Sequence, residues 1–530
     1  MKRHISPLPC FGVFSIALSA CFFSPHAAHA QAVTLAPQSM PAIGTVDERY
    51  QSYNIEMIEV TGGRFWAPYK SQSNAPADTT QPTPGGMPAS LYRYRPPVDL
   101  SNQQLRKLAA ALGPAYVRVS GTWANSTYFQ DSDAPAPAKA PTGFNGVLTR
   151  KEWRGVLDFA KATNAQLVTS FAISTGVRNS DGVWTPVEAE KILRFTHSSG
   201  GHIAAAEMFN EPTFASMGGA PKGYDAAAYG RDFKAFHDYV KKASPTMKIL
   251  GPGSVGEAGT LGNMANLHMI HSEDMLMAEG PGGLDAFSYH FYGAVSQRCA
   301  PDGAPGGISP QDALTDNWLS RTHRDEEYYS ALRDKYAPGK PLWLTETAEA
   351  ACGGDPWAAD FIDTFRYLNQ LGMLAKLGVK VVMHNTLDAS DYALLDETTL
   401  TPRPNYWAAL LWRRMMGTTV LDAGKSPRPD LYLYAHCLRG HSGGVAVLAI
   451  NASRTDTLEL MLPMLSSRYS LTAHDLMSTS VLLNGAPLQL SASGDLPKLQ
   501  PAPQHAGAVH LAPASITFFA VPAAGNDACR

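Results

Sequence analysis

Between residues 53 and 387 the chain alternates short apolar runs with stretches whose apolar positions recur at a helical period. Eight runs read as strands: 53–60, 115–122, 166–174, 204–212, Lys248–Ser254, 284–292, 341–348 and 379–387. Helical periodicity falls between most of them, over 103–112, 151–163, 224–242, 317–335 and 357–377. Runs that are apolar on both faces suit parallel strands covered by helices. Eight such alternations predict an α/β fold, a (β/α)8 TIM barrel, over 53–415.

From about residue 416 the pattern changes to short strand-like segments separated by turn residues, such as Leu431-Tyr432-Leu433-Tyr434-Ala435 and 515–521, which predicts a β-sandwich over 416–530. Residues 31–52 are too few to fold alone and are expected to lend that sandwich a strand. Two proline-rich stretches, 75–97 and 131–141, follow the first two strands and would be long loops on the face where barrel enzymes build their sites.

Residues 1–30 open with Lys2-Arg3-His4, continue through an apolar stretch from 11 to 23 and end in Ala28-His29-Ala30, the pattern of a cleavable export signal. Cys21 after Leu18-Ser19-Ala20 offers a competing lipid-anchor reading, which the apolar Phe22-Phe23 and the later cleavage motif disfavour. No other run approaches the length of a membrane span. Removing the signal takes Cys10 and Cys21 with it and leaves Cys299, Cys352, Cys437 and Cys529, an even number suited to an oxidising compartment. Three pairings are open to four cysteines. Loop positions after two barrel strands favour Cys299 with Cys352, leaving Cys437 to tie a late strand to Cys529. The net charge of -3, with lysine and arginine interspersed, supports neither a nucleic-acid nor an anionic-membrane partner.

The chemistry centres on two glutamates that close apolar runs, Glu211 in Phe209-Asn210-Glu211-Pro212 and Glu346 in Leu344-Thr345-Glu346-Thr347. Cleaving an acetal between sugars takes one carboxyl to protonate the leaving oxygen and another to trap the cationic centre. Glu211 is read as the acid/base and Glu346 as the nucleophile, facing one another across the barrel mouth. Asn210 can bond a sugar hydroxyl. Arg118, Thr122, Tyr289, His290 and Tyr292 fall at the ends of neighbouring runs, where a hydroxyl or a cation would keep a carboxylate ionised. Other chemistries fit less well. His268 and His271 lack a third ligand, so no metal is expected. The 251–256 stretch has the spacing of a nucleophile elbow without an oxyanion loop. No phosphate-binding or other cofactor motif occurs.

With these residues in place, the chain resembles glycoside hydrolase family 79, the β-glucuronidases and heparanases, over nearly all of the mature sequence. The resemblance rests on Asn210-Glu211-Pro212, Leu112-Gly113-Pro114 through Arg118, Trp343 through Thr347, Gly353-Gly354, Val381-Val382-Met383 through Asp391-Tyr392 to Glu397, and Pro404-Asn405-Tyr406-Trp407. It implies retaining hydrolysis of a β-linked glucuronide with the roles given above. It further implies that Tyr392 and the amides of Gly353 and Gly354 hold the uronate carboxylate, that Glu56, Thr122, Asn385 and Asp391 are lesser sugar contacts, that Tyr292 partners the nucleophile, and that Cys437 is bonded to Cys529.

After Pro212 the chain reads Thr213-Phe214-Ala215-Ser216-Met217, without the lysine by which heparanases meet sulfate. The leading expectation is therefore an exported exo-β-glucuronidase acting on oligosaccharides or small glucuronides, with the uronate free or 4-O-methylated. The runner-up is an endo-acting, heparanase-type enzyme on glycosaminoglycan, and a carbohydrate-binding protein that has lost catalysis is the alternative from another class.

Overall fold

A computed structural model describes residues 33–69, 83–259, 268–300, 307–426 and 428–530. The signal segment with Cys10 and Cys21, and much of the first proline-rich stretch, lie outside these residues.

Eight parallel strands close into a barrel: β1 Gln51–Glu56, β2 Ala115–Ser120, β3 Ala165–Ser170, β4 Ile203–Glu207, β5 Lys248–Ser254, β6 Ala286–Tyr292, β7 Leu342–Ala348 and β8 Val381–His384, with β8 pairing back onto β1. Around them lie α1 Gln103–Ala111, α2 Arg150–Ala162, α3 Val187–Ser198, α4 Ala226–Ala243, α5 Ser272–Glu279, α6 Arg321–Tyr336, α7 Phe361–Lys376 and α8 Pro404–Met415. Local chemistry sets several helix starts. Asn102 accepts from the amides of Gln104 and Leu105 to begin α1, and Thr149 and Glu152 form a reciprocal capping box at α2.

The barrel floor is filled by Tyr116, Val168, Ala205, Leu250, Ala286, Trp343, Val381 and Met383, so the interior is a packed core rather than a pore. Nearer the carboxyl ends of the strands, polar side chains replace this apolar layer. Strand β6 shows the switch: Phe287 joins the core between strands and helices and the Tyr289 ring lies 4.8 Å from that of Tyr329 on α6, while Ser288, His290 and Tyr292 bond to acidic side chains of the barrel mouth. Tyr289 is thus a core residue.

Beyond Met415 a nine-stranded sheet and a three-stranded sheet enclose a separate apolar cluster that includes Leu433, Val447, Leu460 and Phe519. The N-terminal segment supplies a strand to each, Ala42–Thr45 against Met416–Leu421 and Val33–Thr34 against Leu458–Leu462. Helix α7 is buried nearly all round because it is wedged between barrel and sheet, with Tyr50 donating to the Leu371 carbonyl (2.6 Å) and Tyr434 to Asn369 Oδ1 (2.6 Å). Cys299 is bonded to Cys352 and Cys437 to Cys529.

Several strand ends differ from the sequence reading, most of all at three strands. β1, β3 and β4 stop at Glu56, Ser170 and Glu207, so Glu211 lies four residues beyond its strand instead of at its end. In the proline-rich stretches, Tyr92–Arg95 forms a hairpin with Gly63–Trp66, and 131–141 connects two short parallel strands, Thr127–Gln130 and Gly146–Thr149.

Candidate active site

Glu346 reaches the barrel mouth through an irregularity in β7. Leu344 pairs with Tyr289 and Glu346 with His290, so one extra residue is inserted on β7, and the register against β8 slips at the same place. Such a bulge re-aims side chains. Here two successive residues both act inside the barrel: Thr345 Oγ1 donates to Glu207 (2.7 Å), while Glu346 Oε1 accepts from the Tyr292 hydroxyl (2.6 Å) and Oε2 from Arg118 (2.7 Å).

Glu211 arrives differently. Its backbone is left-handed, φ 49°, an arrangement that costs a non-glycine residue about 1–2 kcal/mol and needs its surroundings to enforce it. Asn125 supplies the restraint by donating to the Asn210 carbonyl and accepting from its amide, both at 2.8 Å. The turn aims the Glu211 carboxyl into the cleft, where it meets His290 Nδ1 at 3.1 Å and keeps 20% of its side chain exposed. One oxygen of Glu211, one of Glu346 and a His290 ring nitrogen all lie within 4.8 Å of each other. Three donors this close could surround a cation, but both Glu346 oxygens already accept from Arg118 and Tyr292.

Beneath the pair sits a buried charge cluster that the sequence reading did not assemble. Arg118 donates to Glu346, to Glu207 through Nε (3.1 Å) and a terminal nitrogen (2.8 Å), and to Asn210 Oδ1 (2.7 Å). Ser288 also donates to Glu207 (2.8 Å). Burial opposes ionisation of Glu207, but the Arg118 charge, the His290 ring 3.8 Å away and the hydrogen bond from Thr345 outweigh it and hold the carboxyl well below the usual range. A lone acid inside the apolar run 204–209 was the available signal, since a buried carboxylate must find a partner.

Burial likewise pushes Glu211 up, reinforced by the charge of Glu346 and partly countered by the hydrogen bond from His290. For His290 burial disfavours the charged ring, yet the carboxylates of Glu346, Glu207 and Glu211 prevail over it and over Arg118, raising the imidazole to about 9. The His290 charge thus favours the ionised form of Glu211. Replacing it by the neutral His290→Gln is expected to raise the Glu211 pKa further. If Glu211 must be protonated to act, the alkaline limb of the kcat/KM profile then moves to higher pH. An unmoved or lowered limb in a pH-rate series on both proteins would count against that coupling.

The described residues enclose a cleft of about 1,090 Å³, including its open mouth, lined by Glu56, Thr122, Asn210, Glu211, Tyr292, Glu346, Asn385 and Tyr392 among others. Asn385 Nδ2 lies 3.1–3.2 Å from Glu56 Oε1 and from the hydroxyls of Tyr292 and Tyr392, tying the sides of the cleft together. Burial first, and the Glu346 charge second, raise Glu56 well above the carboxylate range. Gly121, at φ 91°, is needed here because a Cβ would overlap the Glu56 carboxyl. Trp66 and Trp123 also line the cleft, and their positions in loops after β1 and β2 were the only sequence signal for them.

Asp391, Gly353 and Gly354 stand behind the lining. Asp391 Oδ2 accepts from Arg298 and from the Tyr69 amide, both at 3.0 Å, so the structure makes it a brace rather than a wall residue. Arg298 stacks 3.7 Å from the Tyr69 ring centroid, and the Tyr69 hydroxyl meets Ser296 Oγ at 2.8 Å. With the Cys299–Cys352 bond, these contacts fasten the loops after β1, β6, β7 and β8 to one another on one side of the cleft. Gly353 and Gly354 sit in that fastening at φ 84° and 85°, where a Cβ would press on Trp66 and Ala358 respectively, and Cys352 and Tyr392 present the surface in front of them.

The family model for the glycosyl hydrolase family 79 N-terminal domain matches residues 96–372. The chain belongs to glycosyl hydrolase family 79. Among this family member's relatives, heparanase-like protein 1 of Arabidopsis thaliana is 26% identical, covering 82% of this chain and 86% of the relative. Hyaluronoglucuronidase of Hirudo nipponia is 29% identical, covering 84% and 93%. Of solved structures, a 4-O-α-L-rhamnosyl-β-D-glucuronidase from Fusarium oxysporum superposes with a TM-score of 0.59 at 13% identity over 92% of this chain and 100% of that one, a likeness of fold.

Proposed function

We propose that this glycoside hydrolase is an exported, retaining exo-β-glucuronidase. The observation that carries the reading is the approach of Glu211 and Glu346 oxygens to within 4.8 Å at one cleft. Retaining enzymes hold their carboxyls about 5–5.5 Å apart, whereas inverting ones leave about 6.5–9.5 Å for a water molecule. In the first step Glu211 gives its proton to the glycosidic oxygen as the Glu346 carboxylate bonds to the anomeric carbon. In the second, Glu211 takes a proton from water as that water displaces Glu346. The hydrogen bonds from Tyr292 and Arg118 hold Glu346 oriented for attack.

Supporting a uronate in the cleft is Tyr392, whose hydroxyl offers an anion a hydrogen bond without a bulky cation, beside Cys352; the amides of Gly353 and Gly354, directly behind Cys352, are assigned to the same anion by the family resemblance alone. Exo action is supported by the fastening of Tyr69, Ser296, Arg298 and Asp391 together with the Cys299–Cys352 bond, because a chain running past the uronate on that side would have to part four loops. Two disulfides fit export, and among the described residues no helix is long and apolar enough to cross a membrane.

Proton NMR during hydrolysis of a β-glucuronide, with product sizing on a glucuronate-containing polymer, tests both parts. The β-anomer of glucuronic acid is expected first, released singly. An α-anomer appearing first sinks the retaining mechanism, and internal fragments at early times favour the endo reading.

A further inference from the structure

Resting on the glucuronidase reading, we propose that Glu349 and Asp355 share a single proton and together act as positioning residues for the turn 350–354 on the uronate side of the cleft.

The turn needs outside restraint. Cys352, Gly353 and Gly354 are left-handed in succession, at φ 66°, 84° and 85°, and cysteine, unlike glycine, is strained there. Glu349, one residue past β7, stands at one end of the turn and Asp355 at the other. Glu349 Oε2 accepts from the Asp355 amide (2.9 Å) and so closes the turn across its base. Asp355 Oδ1 accepts from the Gln297 amide (2.8 Å), which ties that base to the loop after β6, two residues before Cys299. Ala351 and Cys352 line the cleft, while Glu349 and Asp355 do not. The two carboxyls thus set where part of the wall stands without meeting the substrate.

Their burial calls for the proton. Glu349 and Asp355 are 0% and 2% exposed. Among the described residues, their other oxygens, Glu349 Oε1 and Asp355 Oδ2, accept from no N–H or O–H. Two adjoining buried carboxylates would repel each other and leave both oxygens unsatisfied, whereas one proton between them makes a hydrogen bond and removes a charge. The charged side chains facing the pair are Asp363 and Arg366 of α7 and Arg298 of the loop after β6. Both cations are engaged elsewhere: Arg366 grips Asp363 through Nε (2.6 Å) and Nη2 (2.8 Å), and Arg298 donates to Asp391 (3.0 Å). Burial first, then the charges of Asp355 and Asp363, push Glu349 well above the usual carboxyl range, with Arg366 opposing. Burial raises Asp355 as well, against the pull of the Gln297 amide and Arg298.

A carboxyl that stays protonated in the folded turn favours that fold below its ordinary value of 4.5 and loses the advantage as pH rises from there toward its folded value. The turn is therefore tightest in acid, and each pH unit above about 5 favours its opening by up to about tenfold.

The first arm of the test uses no substrate. The rate at which a phosphine reduces Cys299–Cys352, followed by peptide mapping from pH 5 to pH 7 and taken relative to oxidised glutathione, reads how readily the turn opens. In the unaltered protein this relative rate is expected to rise about tenfold or more over that range. Glu349→Gln, whose amide can donate to Asp355 without titrating, should show no rise. In the second arm, KM for a β-glucuronide should climb with pH in the unaltered protein and stay level in Glu349→Gln. Glu349→Ala should raise KM about tenfold at every pH, with kcat changed by less than about threefold, because fewer molecules hold the wall in place. Should Glu349→Ala not fold, Glu349→Gln decides alone. A level reduction rate in the unaltered protein, the same rise in Glu349→Gln, or a Glu349→Ala that lowers kcat at unchanged KM overturns the proposal. Failure of the unaltered protein to cleave any β-glucuronide overturns the glucuronidase reading itself and leaves the first arm standing as a test of the shared proton.

Discussion

Glu346→Ala is expected to lower kcat on every β-glucuronide on the order of 10^4-fold or more, the scale seen when a covalent nucleophile is removed from an otherwise intact site. The loss should not depend on the leaving group, because among the described residues lining the cleft no other carboxylate accepts from both a tyrosine and an arginine. Glu211→Ala should behave differently. On a disaccharide, whose leaving oxygen needs a proton, the fall is expected to be about 10²–10⁴-fold, while on a dinitrophenyl glucuronide the first step should scarcely suffer. Azide separates the two roles by stereochemistry. With Glu346→Ala, and an activated leaving group, it attacks in place of the missing carboxylate and yields the α-azide. With Glu211→Ala it intercepts the glycosyl-enzyme and yields the β-azide. Exchanged azide anomers would reverse the two assignments. Equal inactivity of the unaltered protein and both variants on all glucuronides would favour a carbohydrate-binding protein.

The barrel was legible because strands buried on both faces leave continuous apolar runs, and Lys248–Ser254 forms a strand with the same ends as its run. The reading failed where apolar sequence continues past the hydrogen-bonded ladder: Met208 and Phe209 are buried but lie beyond β4. Helix α5 went unseen because its eight residues carry no apolar stripe. Helix α3 does place Ala189, Ile192, Leu193 and Thr196 on one buried face, and Gly200 at φ 71° closes it just past the Ser199 cap, signals that were present in the sequence but not assembled into a helix. The two glutamates stood out by their contexts, and the structure brings them together. The Arg118–Glu207 pairing did not, since the partners are 89 residues apart and their meeting depends on β2 and β4, which flank β3 in the barrel, both turning these side chains inward. Nor does a sequence announce a bulge, which is why Thr345 was read as mere context for Glu346. Asp391 was placed among the sugar contacts by resemblance alone, and its engagement with Arg298 depends on loops whose packing no local pattern encodes.

Arg118→Met is expected to be the most destabilising single change in the barrel, at about 3–5 kcal/mol near neutral pH. Arg118 and Glu207 are 1% and 0% exposed, so methionine, though it fills similar space, leaves a buried carboxylate without its counter-charge. Adding Glu207→Gln should recover part of the loss, because the neutral amide can still meet Ser288 and Thr345 without carrying a charge. The pH dependence has a definite sign. Arg118 depresses the folded-state pKa of Glu207 below its ordinary value of 4.5, and a depressed carboxyl contributes stability that is present above that value and disappears as pH falls through the folded one. The deficit of Arg118→Met relative to the unaltered chain should therefore be greatest above about pH 5 and shrink on acidification. Urea midpoints at pH 7 and pH 4 for the single and double variants measure this. A loss under about 1 kcal/mol at pH 7, or a deficit that widens toward acid, would mean that the neighbouring hydroxyls and His290 hold Glu207 without the guanidinium, and that Arg118 is fixed by Glu346 alone.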